Sequence, residues 1–457
     1  MFAALRVRNY RIYVAGHSVA STGTWMQSIA QDWLVLELTG SAAAVGVTMA
    51  LQFLPMLLLG MYGGMIADRY PKRTVLLTTQ ALNACLTSVL AVLTISGQVQ
   101  VGHVYLLALA GGLVFVVDNP TRQVFVNEVV PAAHVRSAIS LNAAVFQTSR
   151  LLGPAVAAVL IASVGIGWAF AANALCYLGP LIGLSFIRTA DLVRGPALQR
   201  APGQLRSALR YVAARPHVAW TIALVGVVGT FGLNFPVVLT AMADTTFDSD
   251  AGLYGLFNVM LAVGSVTGAL IAGGRVHTRL RLLVAMAALF GLAQTAAALA
   301  PGLVVFLVAL VAMGVVNLAF QAMANSSVQV WVEPAVRGRV MGLYMLAFTG
   351  GTPLGAPLIG WITTHAGPRV GMAVCGIVPM LAAVAVGVLM AVRQRREEAA
   401  ALAAPVAAPA AAPVDVRQAH CVPLRQRSGA RWRSYWPAHR RSSHRRAEHR
   451  ADPVEVG

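Results

Sequence analysis

Residues 42–95 read AAAVGVTMALQFLPMLLLGMYGGMIADRYPKRTVLLTTQALNACLTSVLAVLTI. Two apolar runs, each of roughly 20 residues and so long enough to cross a hydrocarbon core of ~30 Å, flank one short basic turn. In lipid a single run satisfies its own backbone only as a helix, so the stretch predicts a membrane-spanning helical hairpin. The pattern repeats outward in both directions. Spans are expected near 11–36, 42–66, 74–95, 103–124, 138–163, 167–187, 218–242, 251–273, 282–300, 302–325, 340–363 and 370–392. Composition agrees: of 457 residues 58% are hydrophobic and 11% charged, with a mean hydropathy of +0.70. That leaves too few polar side chains to coat a soluble core. The expected fold is therefore an all-α membrane protein of twelve transmembrane helices.

The formal charge of +18 does not point to nucleic acid, because of where it sits. Residues 393–457 hold thirteen arginines against six acidic residues. Most other cations fall in alternate loops: Arg6, Arg8 and Arg11; Arg69, Lys72 and Arg73; Arg136; Arg188 to Arg215; Arg275, Arg279 and Arg281; Arg337 and Arg339. The opposite loops carry Glu37, Asp244, Asp248 and Asp250, with one Arg369. Positive loops stay in the cytoplasm, so both termini are expected there, in the inner membrane of a bacterium. The basic N-terminus has no small-residue cleavage site and runs into a full span, which makes it a retained first helix.

The chain divides at its longest polar connection, 188–217. Within it Gly203 to Ala214 reads as an amphipathic interfacial helix, with Leu205, Leu209 and Val212 on one face and Arg206 and Arg210 on the other. The expected organisation is a six-helix bundle over 1–187, the linker 188–217, a second six-helix bundle over 218–392, and a basic tail over 393–457 expected to be disordered. An altered reading frame would also give such a tail. Pro131 and Pro334, Arg136 and Arg339, and Pro154 and Pro357 are each separated by 203 residues. One offset shared by three pairs marks the bundles as parallel repeats, an arrangement that places a solute pathway between them.

Several function classes are excluded or disfavoured. No phosphate-binding loop, HExxH or nucleophile elbow is present, and no paired catalytic groups lie at one depth, so the chain is not expected to be an enzyme. Cys85, Cys176, Cys375 and Cys421 stand singly and read as small hydrophobes. His439, His444 and His449 lie among arginines that would repel a metal cation, so no metal is expected.

The turn Gly63-Gly64-Met65-Ile66-Ala67-Asp68-Arg69-Tyr70-Pro71-Lys72-Arg73 resembles the hallmark loop of the major facilitator superfamily, with Gly64, Asp68, Arg69, Lys72 and Arg73 filling the pattern and Pro71 where glycine is usual. Gly64 would permit close helix approach. By resemblance the loop latches the two bundles in the outward-facing state, and Glu128 pairs with Arg69 or Arg73. Over roughly residues 2–392 the chain is similar to the exporter subgroup that includes enterobactin and drug-efflux proteins. The likeness runs through Asn9-Tyr10-Arg11, Gly23-Thr24-Trp25, Ala30-Gln31-Asp32-Trp33, Asp118-Asn119-Pro120-Thr121-Arg122, Leu141-Asn142, Arg150, Gly153-Pro154 and Arg337-Gly338-Arg339. Exporters of the superfamily often follow the helix-five Gly-Pro with Gly-Gly; here Ala157 and Ala158 stand there.

Intramembrane charges are the first functional candidates, since they are costly in lipid. Asp32 lies about 30 Å of helical rise from the inner end of the first span, and Arg150 about 15–20 Å into the fifth. Asp32 reads as a proton-coupling carboxylate or as a wet residue beside Trp33. Arg150 reads as a substrate partner or as half of a structural ion pair. Asp118 and Arg122, four apart, read as a same-helix pair. Gln27 and Gln31, Asn142 and Gln147, and Asn317, Gln321 and Asn325 put amides along helix faces, either as interhelical links or as cavity lining.

The expectation is a secondary transporter, an antiporter exporting a small organic molecule (a drug, siderophore or secondary metabolite) against protons. Its energy source is the proton gradient, it needs no cofactor, and it works as a monomer in the lipid bilayer. Proton-coupled import shares this fold and stays open as an alternative, as does a membrane receptor or scaffold that moves nothing. Asp32 suits a cationic cargo and Arg150 an anionic one, so the cargo's charge is undecided.

Overall fold

The computed structural model describes residues 2–192, 204–273 and 280–403. Its described residues are helical throughout and hold no strand. In chain order the long helices are α1 (Arg8–Thr39), α2 (Ala42–Arg69), α3 (Lys72–Ile95), α4 (Val101–Val129), α5 (Val135–Val164), α6 (Ile166–Cys176) and α7 (Leu178–Ser185). There follow the short α8 (Gln204–Ala213), α9 (Pro216–Val227) and α10 (Phe235–Ala241). The last are α11 (Ala251–Gly273), α12 (Leu280–Ala298), α13 (Leu303–Trp331), α14 (Pro334–Gly350), α15 (Thr352–Ala366) and α16 (Pro368–Ala403). Eleven spans among the described residues are long and apolar enough to cross a membrane. Three of them join two α-helices: α6 with α7, α9 with α10 through a π-turn at Val228–Gly232, and α14 with α15. Helix α1 is long enough at 32 residues, but Gln27, Gln31, Asp32 and Glu37 make it too polar to count as a twelfth by composition.

The repeat is visible in backbone geometry, here at an offset of 202. α4 and α13 each have 29 residues. Gly165, closing α5, has φ 94° and ψ 164°, while Gly367, closing α15, has φ 91° and ψ 158°. Those angles are open almost only to glycine, so each half makes the same sharp turn into its last span with the same residue.

Within the first half α1 packs on α5, α6 and α7, α2 on α4, and α3 on α4 and α6. Within the second, α11 packs on α13, α13 on α12, and α14 on α9. The halves meet chiefly through α2 against α15 and α5 against α11. Both contacts place a glycine against a proline-bearing helix. A Cβ on Gly46 of α2 would lie 2.3 Å from the Ala356 carbonyl oxygen, beside Pro357, and one on Gly255 of α11 would lie 2.6 Å from Ala158 Cβ and 3.1 Å from the Pro154 carbonyl oxygen. Ala158, one of the two alanines that follow Gly153-Pro154 here, meets Gly255 across the interface.

These contacts occupy only one end of the molecule. In α2, residues 42–57 expose only Gln52, whereas Leu58, Tyr62 and Met65, one stripe further on, are 65%, 60% and 56% exposed. In α5, the positions exposed between Leu152 and Val159 fall on a single stripe, but before it a second stripe of Ile139, Ala143 and Phe146 is open as well. A helix has one lipid-facing stripe when covered on its other sides, so the second stripe marks where the halves separate. The result is a cleft open towards the α2–α3 turn and closed towards the α1–α2 turn, where Thr364 Oγ1 accepts the Ala43 amide at 3.0 Å.

Two expectations change, and one lies outside the described residues. The final helix runs on past 392 to Ala403. Chain contacts group Met1–Glu398 as one compact unit and Ala399–Gly457 as another; of the latter only 399–403 is described, so the expected disorder of the tail lies outside the described residues. The amphipathic linker helix exists as α8, but it turns Ala208 and Val212 inward and leaves Leu209 half-exposed, because α8 docks against α14.

Candidate functional site

Asp32 sits two turns before the end of α1 and is 5% exposed. The Tyr254 hydroxyl of α11, itself fully buried, donates to Asp32 Oδ2 at 2.9 Å. Trp33 stacks on the same tyrosine ring, with centroids 6.4 Å apart. The bond joins the two halves at the closed end. Asp32 is therefore not a wet helix-end residue: α11 covers it. Nothing in the sequence marked Tyr254, although a tyrosine buried in an apolar span must find a partner for its hydroxyl, and a carboxylate at a similar depth is the obvious one.

Arg150 lies on α5 one turn before Pro154. Its guanidinium carbon is 5.7 Å from the centroid of the Trp25 ring, which packs edge-on against Phe146 at 5.6 Å. It makes no hydrogen bond or ion pair with any described residue, so the structural ion-pair reading fails. Gly153 positions this group: a Cβ there would lie 2.4 Å from Trp25 Cβ, so only glycine lets α5 cross α1 closely enough to set Arg150 over Trp25. Gln147, one turn earlier, is half-buried.

A second polar cluster lies within the first half. Asp118 accepts from Thr79 Oγ1 at 2.6 Å and Gln80 Nε2 at 2.8 Å through one oxygen, and from Arg122 Nη2 at 2.5 Å through the other. Arg122 Nη1 reaches His17 Nδ1 at 2.5 Å. Because a guanidinium only donates, His17 accepts through Nδ1. The expected Asp118–Arg122 pair is present, with α1 and α3 added to it.

The amides divide. Gln27 accepts from Thr87 Oγ1 at 2.9 Å and from Asn173 Nδ2, and Asn142 accepts the Tyr10 hydroxyl at 3.1 Å; both are interhelical links. Gln31 is buried on α1. Gln321 donates to Asn317 along α13 at 2.8 Å, and the Asn317 amide nitrogen is left without a partner among the described residues.

At the α2–α3 turn Glu128 pairs with Lys72 at 3.3 Å, not with Arg69 or Arg73. Arg73 is engaged elsewhere, donating to the carbonyls of Leu184 at 2.7 Å and Ser185 at 3.0 Å, while Arg69 is exposed, its guanidinium 5.9 Å from the Tyr70 ring centroid. Asp68 is half-buried. The close helix approach is made by Gly63, where a Cβ would lie 1.9 Å from the Val116 carbonyl oxygen; Gly64 is buried beside it. Among the described residues no cluster of His, Cys, Asp and Glu could hold a metal.

Known proteins resemble this chain. A family model described as "Transmembrane secretion effector" matches residues 1–422. The chain is 24% identical over 251 residues to the staphyloferrin A transporter of Staphylococcus aureus, covering 54% of this chain and 63% of that protein. It is 24% identical to the multidrug efflux pump Tap of Mycobacterium tuberculosis, covering 76% of this chain and 85% of the pump. To the enterobactin exporter of Escherichia coli it is 25% identical, covering 72% and 76%. The crystal structure of a bacterial homologue of the lysosomal transporter Spinster shares the fold, with a TM-score of 0.67 at 13% identity over 83% of this chain and 96% of that one.

Proposed function

We propose, for a chain that belongs to the transmembrane secretion effector family of the major facilitator superfamily, that it exports a small organic molecule in exchange for protons. It is a multi-pass membrane transporter. In our reading α1 is the twelfth span, and the spans form two six-helix bundles, 1–187 and 218–392, linked by 188–217. The basic α2–α3 end faces the cytoplasm of a bacterium, as do both termini. The described arrangement is then the inward-open state of an alternating-access cycle, worked by a single chain because one chain supplies both bundles.

One observation carries this reading: the inter-half contacts are confined to one end. The glycine–proline crossings of α2 with α15 and α5 with α11 close the outer side, and the paired exposed stripes of α2 and α5 open the inner side. Two rigid halves touching at one end can rock to touch at the other. On the inner side Gly64, Asp68, Arg69, Lys72, Arg73 and Glu128 form the gate that the opposite half meets when the cleft closes.

Asp32 couples the rocking to protons. A neutral carboxyl is far cheaper to bury than a carboxylate, so closure of the outer end over Asp32 is favoured once it is protonated. A proton taken from outside therefore favours return to the inward-open state. Its release towards the cytoplasm restores a buried charge and favours outward opening. Net exchange is proton in, cargo out, which the relatives described as an efflux pump and an exporter also support.

The test is flux. A strain overproducing the chain, compared with a deletion strain, is screened for secreted metabolites and tolerance of toxic compounds, and hits are followed in inside-out vesicles. Proton-driven accumulation there is the expected result. Accumulation only in right-side-out vesicles would mean import, and ligand binding without flux would mean a receptor.

A further inference from the structure

Resting on that transport reading, we infer that the cargo is an amphipathic anion, an apolar or aromatic body bearing a carboxylate or similar acid group, bound in the cleft by Arg150 beside Trp25 and Phe146. Two intramembrane charges could set the sign of the cargo, and the structure separates them. Asp32 is 5% exposed, turned into the contact between the halves and occupied by the Tyr254 hydroxyl. A cation in the cleft would have to displace that bond to reach it. Arg150 is about 10 Å further down, since Trp25 precedes Asp32 by two turns of α1.

Position supports access. Ile139, Ala143 and Phe146 form the stripe that lies open below the inter-half crossing, and Arg150, partly buried, follows them one turn on at helical spacing along α5. One turn beyond Arg150, Pro154 already faces Gly255 of the opposite half. Arg150 therefore lies at the level where the two halves begin to meet, where a cargo entering from the α2–α3 end would stop.

Chemistry sets the class. The other intramembrane arginine, Arg122, is compensated by Asp118. Arg150 has no carboxylate among the described residues, and a cation held at membrane depth without a counter-charge is expensive. An anionic cargo supplies that charge, and the planar fork of guanidinium donors suits a carboxylate. Beside it the Trp25 ring and the half-exposed Phe146 ring offer an apolar wall.

The probes are 5-carboxyfluorescein, an aromatic carboxylate, and rhodamine 6G, a related cation. Binding is read by fluorescence anisotropy on the purified full chain, and flux is read in phosphatidylcholine proteoliposomes with an imposed pH gradient. Expected is saturable carboxyfluorescein binding that is weakened about tenfold or more in Arg150→Gln and partly kept in Arg150→Lys. Rhodamine 6G should bind poorly and alike to all three, and melting curves should show the variants folded. Carboxyfluorescein binding without flux would leave the site standing and remove the transport reading. The inference is overturned if rhodamine 6G binds as tightly as carboxyfluorescein, if neither binds, or if Arg150→Gln leaves carboxyfluorescein binding unchanged.

Discussion

The hydroxyl of Tyr254 on α11 donates a 2.9 Å hydrogen bond to the carboxyl group of Asp32 on α1, and the two residues belong to opposite halves of the chain. Both are buried, and the tyrosine ring is held by stacking on Trp33. Separation of the halves at this end would break the bond. On the proposed function, protonation of Asp32 and separation of the halves are coupled through this one contact.

The roles of the two partners differ, and so should their variants. Asp32→Asn keeps a neutral acceptor for Tyr254 and mimics the protonated state, so substrate should still bind while proton-driven exchange is lost. Tyr254→Phe leaves the carboxyl buried without its donor; exchange should persist with its pH dependence displaced, because the charged form has lost its partner. Proton-driven exchange at the normal rate in Asp32→Asn would remove Asp32 from the coupling.

The α5–α11 crossing should tolerate no side chain at Gly255. In Gly255→Val the added atoms meet Ala158 and the Pro154 carbonyl, so this end cannot close and cysteine pairs placed across it should cease to crosslink. Gly342→Val on α14, where nothing lies within 4 Å, is the control and should crosslink normally. Equal crosslinking in both would show that the crossing is looser than described.

Asp118 is the anchor of a charged cluster that stabilises the first half. Asp118→Asn strands the Arg122 guanidinium, which should cost about 3–5 kcal/mol and lower the melting temperature in detergent. Adding Arg122→Met should recover part of that loss, because the uncompensated charge is removed. A double variant no more stable than Asp118→Asn would mean that packing, not charge balance, sets the cost.

Gly165→Ala and Gly367→Ala should destabilise to a similar degree, by about 1–3 kcal/mol each, since both glycines hold nearly the same positive φ at equivalent turns. Thermal melting of the two single variants checks this. A large loss in one and none in the other would break the equivalence of the repeats at this turn.

How much was legible in the sequence follows from which interactions are local. Span length, the basic turn at 63–73, the repeat offset and the Asp118–Arg122 pair are all properties of residues close in the chain or repeated at one spacing. Hydropathy, charge placement and helical periodicity report them directly. The positions of Asp32, Arg150, Gly153 and Pro154 were also legible as candidates, because a charge or a Gly-Pro inside an apolar helix is visible without knowing its neighbours.

Tertiary structure decided what those candidates face. Tyr254 is 222 residues from Asp32, and Gly255 lies about a hundred positions beyond the Ala158 it accommodates, so no local pattern links either pair. The same holds for Glu128, which the resemblance paired with Arg69 or Arg73 and which meets Lys72 because Arg73 is drawn to the end of α7. The sign of the cargo was open in the sequence, where Asp32 and Arg150 weighed equally. Packing of the two halves separates them: it buries the Asp32 carboxyl under a tyrosine of the opposite half and leaves Arg150 without a counter-charge among the described residues, and the inference of an anionic cargo rests on that difference, because in a low-dielectric medium a partnered group and an uncompensated charge are not equivalent.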